Sequence, residues 1–460
     1  MNVSLYGVLS IARDALVAQT AGIDAVGQNV SNASNPGYVR RAPILETLAL
    51  GDQAGGVQFV GTHRMFDRFA FGRVTDELGQ SGSAQARSKG LGAVQDIVAP
   101  SSGSLGDSVS AFFQAVQALT AAPTDPSARA QLLARTTQVT STFSDTATRL
   151  EAQRAEMLAQ AQGISGEVND RLSKIASLSA QIETAQAMGQ PASDLRDQRD
   201  KLVRELADRV GARSIEDDKG HFTLFAAGMA LVDGGTASSM NVTLDQAGAL
   251  KIEVVRPGGS TTDVTSRIDQ GSLGGVREVR DVELPKTQSE LDQYAYDFAR
   301  AVNAVHMAGY GLDGVGGRGL FTQPAQVSGA ARAMSVDATI VGHPERLAAS
   351  ESANALPGGN GAAVALAQLA AQPLNGNGTP SDRYASLVGN VGAAKASADS
   401  DADLRQGTLA HAEALRESGA GVSLDEEMVD LTRYQRGFEA SLKILQTADG
   451  LLDNLLKSIP

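Results

Sequence analysis

The chain has 460 residues and a net charge of −13, which excludes a general nucleic-acid binder, because neutralising phosphates needs a basic surface. It has no cysteine, so disulfides, thiolate metal sites, iron–sulfur clusters and a cysteine nucleophile are excluded too. Length suggests about three domains. With 42% hydrophobic but only 4% aromatic residues and no Trp, their cores draw on Ala, Leu, Val and Ile, which suits closely packed helices.

The chain opens MNVSLYGVLSIARDALVAQ. No Lys or Arg precedes Arg13, and Arg13-Asp14 interrupts the apolar residues, so this is not the pattern of a cleaved secretory signal. No window approaches the roughly 18 apolar residues of a membrane span, so no membrane insertion is expected. Leu5, Leu9, Ala12, Leu16, Gln19, Ile23, Val26 and Val30 alternate steps of four and three, the seam of a coiled coil with Gln19 as its one polar position. The helix they predict, about 5 to 32, is roughly 40 Å long at 1.5 Å per residue. SNASNPGY (31–38) stops it: Asn32, Ser34 and Asn35 bond their own backbone in turns, and Pro36 pushes Asn35 out of helical geometry before Gly37 turns the chain. Turn chemistry does not account for Tyr38.

APTDPSA (122–128) reads as a loop leading into a long helical stretch. A largely apolar series from Leu132 to Ile182 keeps mostly three- and four-residue steps, with a break or kink expected near Gly163 and Gly166. Gly189-Gln190-Pro191 ends it, and SDLRDQRDKLVRELADR (193–209) forms another amphipathic helix. Residues 210–270 change texture. HFTLF (221–225), MNVTLD (240–245) and KIEVV (251–255) read as short strands, with turns at Asp217-Asp218-Lys219-Gly220 and Pro257-Gly258-Gly259. Helix returns at about 286–308, followed by the glycine-rich loop 309–319, one strand in AMSVDATI (333–340) and Gly/Asn/Pro-rich loops. From about 381 the chain is helical, with a Gly-containing break at 419–421.

Leu424, Met428, Leu431, Gln435, Phe438, Leu442, Leu445, Asp449, Leu452, Leu456 and Ile459 then repeat the four–three rhythm to the C-terminus. Ser423 and Glu426 mark the start as a capping box. Both terminal stripes are too long to leave in water. On pattern alone they read either as two ordinary core helices or as helices that pair with each other and with neighbouring subunits, in which case Gln19 and Gln435 fix register because a polar seam residue prefers a polar partner. The fold class is therefore mainly α with a β insert. The expected domains are nested: 1–50 with 410–460 as a terminal coiled-coil domain, 51–206 with 271–409 as a helix-rich middle domain with some strands, and 207–270 as an inserted β outer domain.

No catalytic, cofactor or metal site emerges. The glycines at 314–319 match GxGxxG, but a helix precedes them and Leu320-Phe321-Thr322-Gln323-Pro324 follows, whereas a dinucleotide site needs a strand before and a helix after. Asp399-Ser400-Asp401-Ala402-Asp403 starts like a calcium loop, but Leu404 and Ala410 stand where Gly and Glu belong. None of the five histidines sits in a zinc pattern, no serine sits in GxSxG, and Glu426-Glu427 reads simply as a helix start. His306, one step past the apolar face of its helix, reads as packed or surface.

Several stretches resemble the axial proteins of the bacterial flagellum. SLYGVLSIARDALVAQTAGIDAVGQNVSNASNPGYVRR (4–41) and VSLDEEMVDLTRYQRGFEASLKILQTADGLLDNLL (422–456) are similar to terminal motifs that rod and hook proteins share. The interior points to one member: APTDPSARAQLLARTTQVTSTF (122–143), LRDQRDKLVREL (195–206) and LDQYAYDFARAVNAVHMAGYGLDGVGGRGLF (291–321) resemble the hook-associated protein 1 family, in that family's order. The least family-like part, 207–270, suggests a smaller outer domain than long members carry. The resemblance implies a non-enzymatic subunit at the hook–filament junction, outside the cell, exported through the flagellar type III apparatus without a cleaved signal. It implies self-assembly into a ring or helical array, hook protein on one side, the second junction protein and filament on the other, and an export chaperone on the C-terminal helix. The assembly residues would be Leu9, Leu16, Gln19, Ile23, Val26 and Val30 with Met428, Leu431, Gln435, Phe438, Leu442, Leu445 and Leu452. Asn35, Pro36, Gly37 and Tyr38 would form the exit from the inner helix, Tyr38 as its anchor, since Tyr brings a ring to bury and a hydroxyl to satisfy. A hook or distal-rod protein is the alternative, against which the long helices at 129–187 and the DQRD segment argue. An enzyme on a flagellar scaffold would need a catalytic set in 207–270, and a cytosolic coiled-coil scaffold would not need the SNASNPGY exit.

Overall fold

The computed structural model describes residues 5–35, 37–50, 53–217 and 220–457. Pro36, the Asp218-Lys219 turn and Ile459 lie outside the described residues. The first helix, α1 (Leu5–Asn32), runs the full predicted length. An antiparallel hairpin follows, β1 (Arg41–Leu50) and β2 (Gln53–Arg64), and lies back along α1, where Gly56 (φ +108°) approaches Ile11 closely. Sequence reading missed this hairpin because RAPILETLAL alternates poorly.

The helical body begins with α2 (Arg68–Val98), capped by the Asp67 carboxylate, which accepts from the Phe69 and Ala70 N–H groups. Next comes α3 (Leu105–Ala121), opened by a Ser104/Asp107 capping box. The α4 helix (Pro126–Ala187) follows, with Asp125 as N-cap and Pro126 in its first turn. At 62 residues it is about 93 Å long. The break expected at Gly163 and Gly166 is absent. Both glycines face open space, while Met157, Ile164, Val168 and Leu172 on the other side are buried against the body. Tertiary packing thus outweighs a helix penalty of about 1 kcal/mol per glycine. Arg129, 1% exposed, donates to Pro123 O (2.7 Å) and Leu347 O (2.7 Å) and so stitches the start of α4 to a distant loop. The α5 helix (Ser193–Val210) closes on Gly211 in the left-handed conformation (φ +65°).

The β insert holds two antiparallel sheets. The first comprises β3 (Arg213–Glu216), β4 (Phe222–Ala226), β5 (Met229–Asp233) and β6 (Thr236–Ala237); the second β7 (Ser239–Leu244), β8 (Leu250–Val255) and β9 (Thr261–Asp263). Leu250, Ile252 and Val254 alternate inward along β8. The insert is fastened to α4: Asn169 exchanges two hydrogen bonds with the Met240 backbone, 2.7 and 2.8 Å, and Ser165 adds a third at 2.8 Å.

Helix α6 (Gly271–Glu278) continues through a π turn into α7 (Leu284–Ala308). Where α3, α4 and α7 meet, six aromatics gather, Phe112, Phe113, Phe143, Tyr294, Phe298 and Phe321, with neighbouring ring centroids 5.1–6.3 Å apart. His306 is 2% exposed; its Nδ1 faces Arg318 O (2.8 Å) and its Nε2 faces the Ala348 N–H (3.0 Å). A carbonyl only accepts and an amide only donates, so the proton sits on Nδ1. The glycine-rich loop is thereby tied down, with Arg318 also pairing Asp313 at 2.6 Å.

Beyond it lies the short α8 (Ala330–Ala333). The strand expected in AMSVDATI is reduced to one bridge, Val336 to Phe321, because the segment folds back on Asp337 as a turn. Helices α9 (Gly361–Gln368), α10 (Pro380–Ala420) and α11 (Leu424–Lys457) complete the chain. Packing of α10 on α2 and of α11 on α1 brings the two ends together. The boundary expected at residue 50 cuts the β1–β2 hairpin, and the one at 410 falls inside α10. The hairpin and α11 both pack on α1.

Candidate functional site: the terminal helix pair and its exit

Glycines set the approach of α1 to α11. A Cβ on Gly22 would lie 2.6 Å from the Tyr434 ring, and one on Gly437 would lie 2.7 Å from the Gln19 side chain. Each helix thus offers a bare position to a large side chain of the other, knobs entering holes. Gln19 therefore rests on Gly437, and Gln435 is exposed; within the chain the two glutamines do not meet. The face of α11 turned to α1 runs Glu427, Leu431, Tyr434, Phe438, Ser441, Leu445, Ala448 and Leu452, again in steps of four and three. Leu431, Phe438, Leu445 and Leu452 of the expected seam are half-buried on it. Met428 (55% exposed), Gln435 and Leu442 (37% exposed) point away. On α1, Val26 is buried, Leu9, Leu16, Gln19 and Ile23 are half-buried, and Val30 is exposed. The stripe in α11 is therefore broad enough for two faces, one used inside the chain and one left outward.

The exit is built on a residue that sequence reading passed over. Asn29, 1% exposed, donates from Nδ2 to Arg41 O (2.9 Å) and Glu427 Oε2 (3.0 Å). Its Oδ1 accepts from the Tyr38 hydroxyl (3.0 Å) and the Arg41 N–H (2.9 Å). Asn35 is exposed and its carbonyl accepts from the Tyr38 N–H (3.1 Å); Gly37 has φ +90°, a conformation that favours glycine. Tyr38 is half-buried, with the Arg41 guanidinium 5.4 Å from its ring centroid, and burial raises the pKa of its hydroxyl, keeping it a donor. The turn is thus closed on the helix it leaves.

Glu427 brings the other end of the chain to this point. Its side chain is 1% exposed, and Arg40 Nε meets Oε1 at 2.6 Å. Arg40 also reaches Glu426 (3.1 Å) and Asp430 (3.2 Å). Glu427 is therefore a buried partner of the exit and more than a helix start. The capping box is only half made: the Glu426 N–H reaches Ser423 Oγ at 3.5 Å, while the Glu426 carboxylate turns to Arg40. Removing one member of such a buried pair is far more damaging than the pair is stabilising. The missed signals were a lone Asn on an apolar helix face, the Arg40-Arg41 dipeptide and the acidic run Asp425-Glu426-Glu427.

A second ionic joint fastens the hairpin to the body. Arg41 and Arg64 are direct register partners across β1 and β2, an arrangement that repels unless compensated. Asp194, Asp197 and Asp200, one face of α5, compensate it. Arg41 meets Asp194 and Asp197 (3.2 Å), and Arg64 meets Asp197 (2.6 Å) and Asp200 (2.7 Å). Burial nevertheless pushes Asp197 and Asp200 above the usual carboxylate range, Arg64 offsetting it in part. Other residues of α5 hold Glu216 of β3, through Arg196 and Arg199, and Glu413 of α10, through Arg204. The α5 helix is thus the point where hairpin, β insert and α10 converge. Between the exit, α5 and α10 lies a cavity of about 330 Å³ lined by Asn35, Gly37, Tyr38 and Arg204 among others. Among the described residues no cluster of His, Asp and Glu has the arrangement of a metal site.

The family model described as the flagellar hook-associated protein FlgK helical domain matches residues 91–321. A model of the flagellar basal body rod FlgEFG protein C-terminal region matches 415–458. Flagellar hook-associated protein 1 of Salmonella typhimurium is 26% identical over 550 aligned positions, with 98% of this chain and 100% of that protein covered. Its Bacillus subtilis namesake is 26% identical over 502 positions, covering 99% of each. Both alignments exceed the 460 residues of this chain, so these relatives hold segments without a counterpart here. The solved structure of the flagellar hook junction protein FlgK from Burkholderia pseudomallei shares the fold, with TM-score 0.65 and 15% identity over 75% of this chain and 100% of that one. The rod-type model covers only the end that axial proteins share, whereas the helical-domain model spans half of the chain, which therefore belongs to the flagellar hook-associated protein 1 (FlgK) family.

Proposed function

We propose that the chain joins hook to filament through the outward face of its terminal helix pair. The protein is a structural, non-enzymatic component of the extracellular hook–filament junction, as its family is. Among the described residues no helix is long and apolar enough to cross a membrane. The observation that carries the assembly reading is the apolar side of α11 that α1 leaves bare: Leu424, Met428, Leu442 and Leu456 are 54%, 55%, 37% and 68% exposed. Such a stripe on a helix calls for a partner. Its occupants are further copies of the chain in a ring or helical array, with hook protein below and the second junction protein and filament above; before assembly the same stripe suits an export chaperone. A repeated heterologous contact closes a ring or winds a helix. Leu9, Leu16, Ile23, Val26, Val30 and the α11 seam serve this assembly, with the exit at Asn35–Tyr38 holding the pair in place.

The test is electron microscopy of cells lacking the gene, with flagellin assayed in the medium. Hooks without filaments and flagellin lost to the medium are expected; loss of the hook as well would place the protein lower in the axis. Leu442→Asp, on the outward face, should leave the purified chain folded and block incorporation. Normal incorporation of that variant would overturn the seam.

A further inference from the structure

A second bare apolar surface lies away from the terminal helices, around the base of the hairpin. Ile44, Val60, Phe66, Phe69 and Ile215, drawn from β1, β2, the link into α2, α2 itself and β3, line a groove of about 880 Å³ backed by the buried Phe222 of β4. Phe69 is 78% exposed, Ile215 62% and Val60 53%. An apolar cluster of this kind where several elements meet marks a binding surface. Its charge is specific too. The Arg68 guanidinium, also on its lining, lies 5.7 Å from the Phe69 ring centroid. Among the described residues Arg68 has no carboxylate within ion-pair distance, unlike Arg64, Arg196 and Arg199 in the same groove. The occupant must therefore be apolar and acidic.

This chain carries a segment of that chemistry. The first two turns of α11 expose Leu424 (54%), Met428 (55%) and Val429 (69%). Asp425 stands among them, exposed and without an ion pair among the described residues, whereas Glu427 and Asp430 on the inner side are taken by Arg40. Steps of four place Leu424 over Met428 and Asp425 over Val429, so the apolar and acidic groups share one side of the helix. We propose that the groove around Phe69 receives the start of α11 from a second copy of this chain, Met428 and Leu424 against the Phe69 ring and Asp425 against Arg68. The contact is heterologous, so each copy uses both surfaces and the array propagates. This rests on the self-assembly reading above and names a surface for it outside the terminal pair.

The absence of native cysteine makes the test clean. Flagella are isolated from cells producing the full chain with Phe69→Cys and Met428→Cys together, oxidised, and run without reductant. A ladder of dimers and higher multimers is expected, while each single-cysteine chain stays monomeric and the two single-cysteine chains co-produced stop at a dimer. Incorporated double-cysteine chain that remains monomeric would overturn the proposal. Absence of the unaltered chain from isolated flagella would instead overturn the junction reading itself. Should the cysteine chains fail to incorporate, charge reversal decides: Arg68→Glu and Asp425→Arg should each reduce swarming several-fold and together restore it, and a double reversal no better than the single ones refutes the contact.

Discussion

Asn29→Ala removes the centre of the exit in one step. The wild-type side chain makes four hydrogen bonds, to the Arg41 N–H and carbonyl, the Tyr38 hydroxyl and the Glu427 carboxylate. After truncation Glu427 retains Arg40, and the Tyr38 hydroxyl, at a half-buried site, recovers water. The two Arg41 backbone groups and one carboxylate oxygen lose their partner at a position where Asn29 is 1% exposed. At about 1–3 kcal/mol for each buried group left unmade, discounted for partial access of water, the loss is about 3–5 kcal/mol. Tyr38→Phe deletes only one of the four bonds and should lose about 1 kcal/mol. A double-mutant cycle should return a coupling of about 1 kcal/mol for the Asn29–Tyr38 bond. Urea unfolding followed by circular dichroism, with amide hydrogen exchange read over residues 29–41, measures all three. If Asn29→Ala is no more destabilising than Tyr38→Phe, Asn29 is not the hub that the geometry makes it, and the exit is held by its turn chemistry alone.

Three further outcomes follow from the packing. Gly163→Ala and Gly166→Ala, whose new methyls would meet nothing within 4 Å, should each stabilise the helical body by about 1 kcal/mol in thermal unfolding. Unchanged or lowered stability would mean that α4 needs its glycines. Gly22→Ala, aimed at the Tyr434 ring, should destabilise the terminal pair by about 1–3 kcal/mol; Gly437→Ala, aimed at the flexible Gln19 side chain, should be close to neutral. Equal effects would refute the knob-and-hole assignment. Burial lowers the pKa of His306. The unfolded chain, near 6.5, therefore takes up the proton first. The stability that His306 contributes is full above about pH 6.5 and falls as pH drops toward the lower folded value. His306→Gln keeps a donor and an acceptor but cannot titrate, so its urea midpoint should fall less than wild type between pH 7.5 and 5.5; parallel slopes would refute the assignment.

Much of this architecture was legible from local pattern. The four–three rhythm marked α1 and ran the length of α11, SNASNPGY placed the end of α1, and APTDPSA marked the loop from which α4 starts. β7 and β8 followed from alternation, since a strand with one buried face repeats every two residues. These signals depend on neighbours within a turn or two, which a sequence displays directly. The terminal stripe also announced that the two ends need partners.

Tertiary structure decided what each polar residue does. Glu427 reads as a helix start until Arg40 is placed beside it from 387 residues away. Asn29 is an ordinary polar residue until the chain turns back and lays Tyr38 and Arg41 on it. The pairing of Arg41 and Arg64 with one face of α5 depends on hairpin register, and register depends on a strand pair whose alternation is weak. Which side of the α11 stripe turns inward was likewise fixed by two glycines, Gly22 and Gly437, that make room for Tyr434 and Gln19. Periodicity gives a helix its apolar faces, but the contact distance between two backbones selects among them, and that distance exists only once both helices are in place.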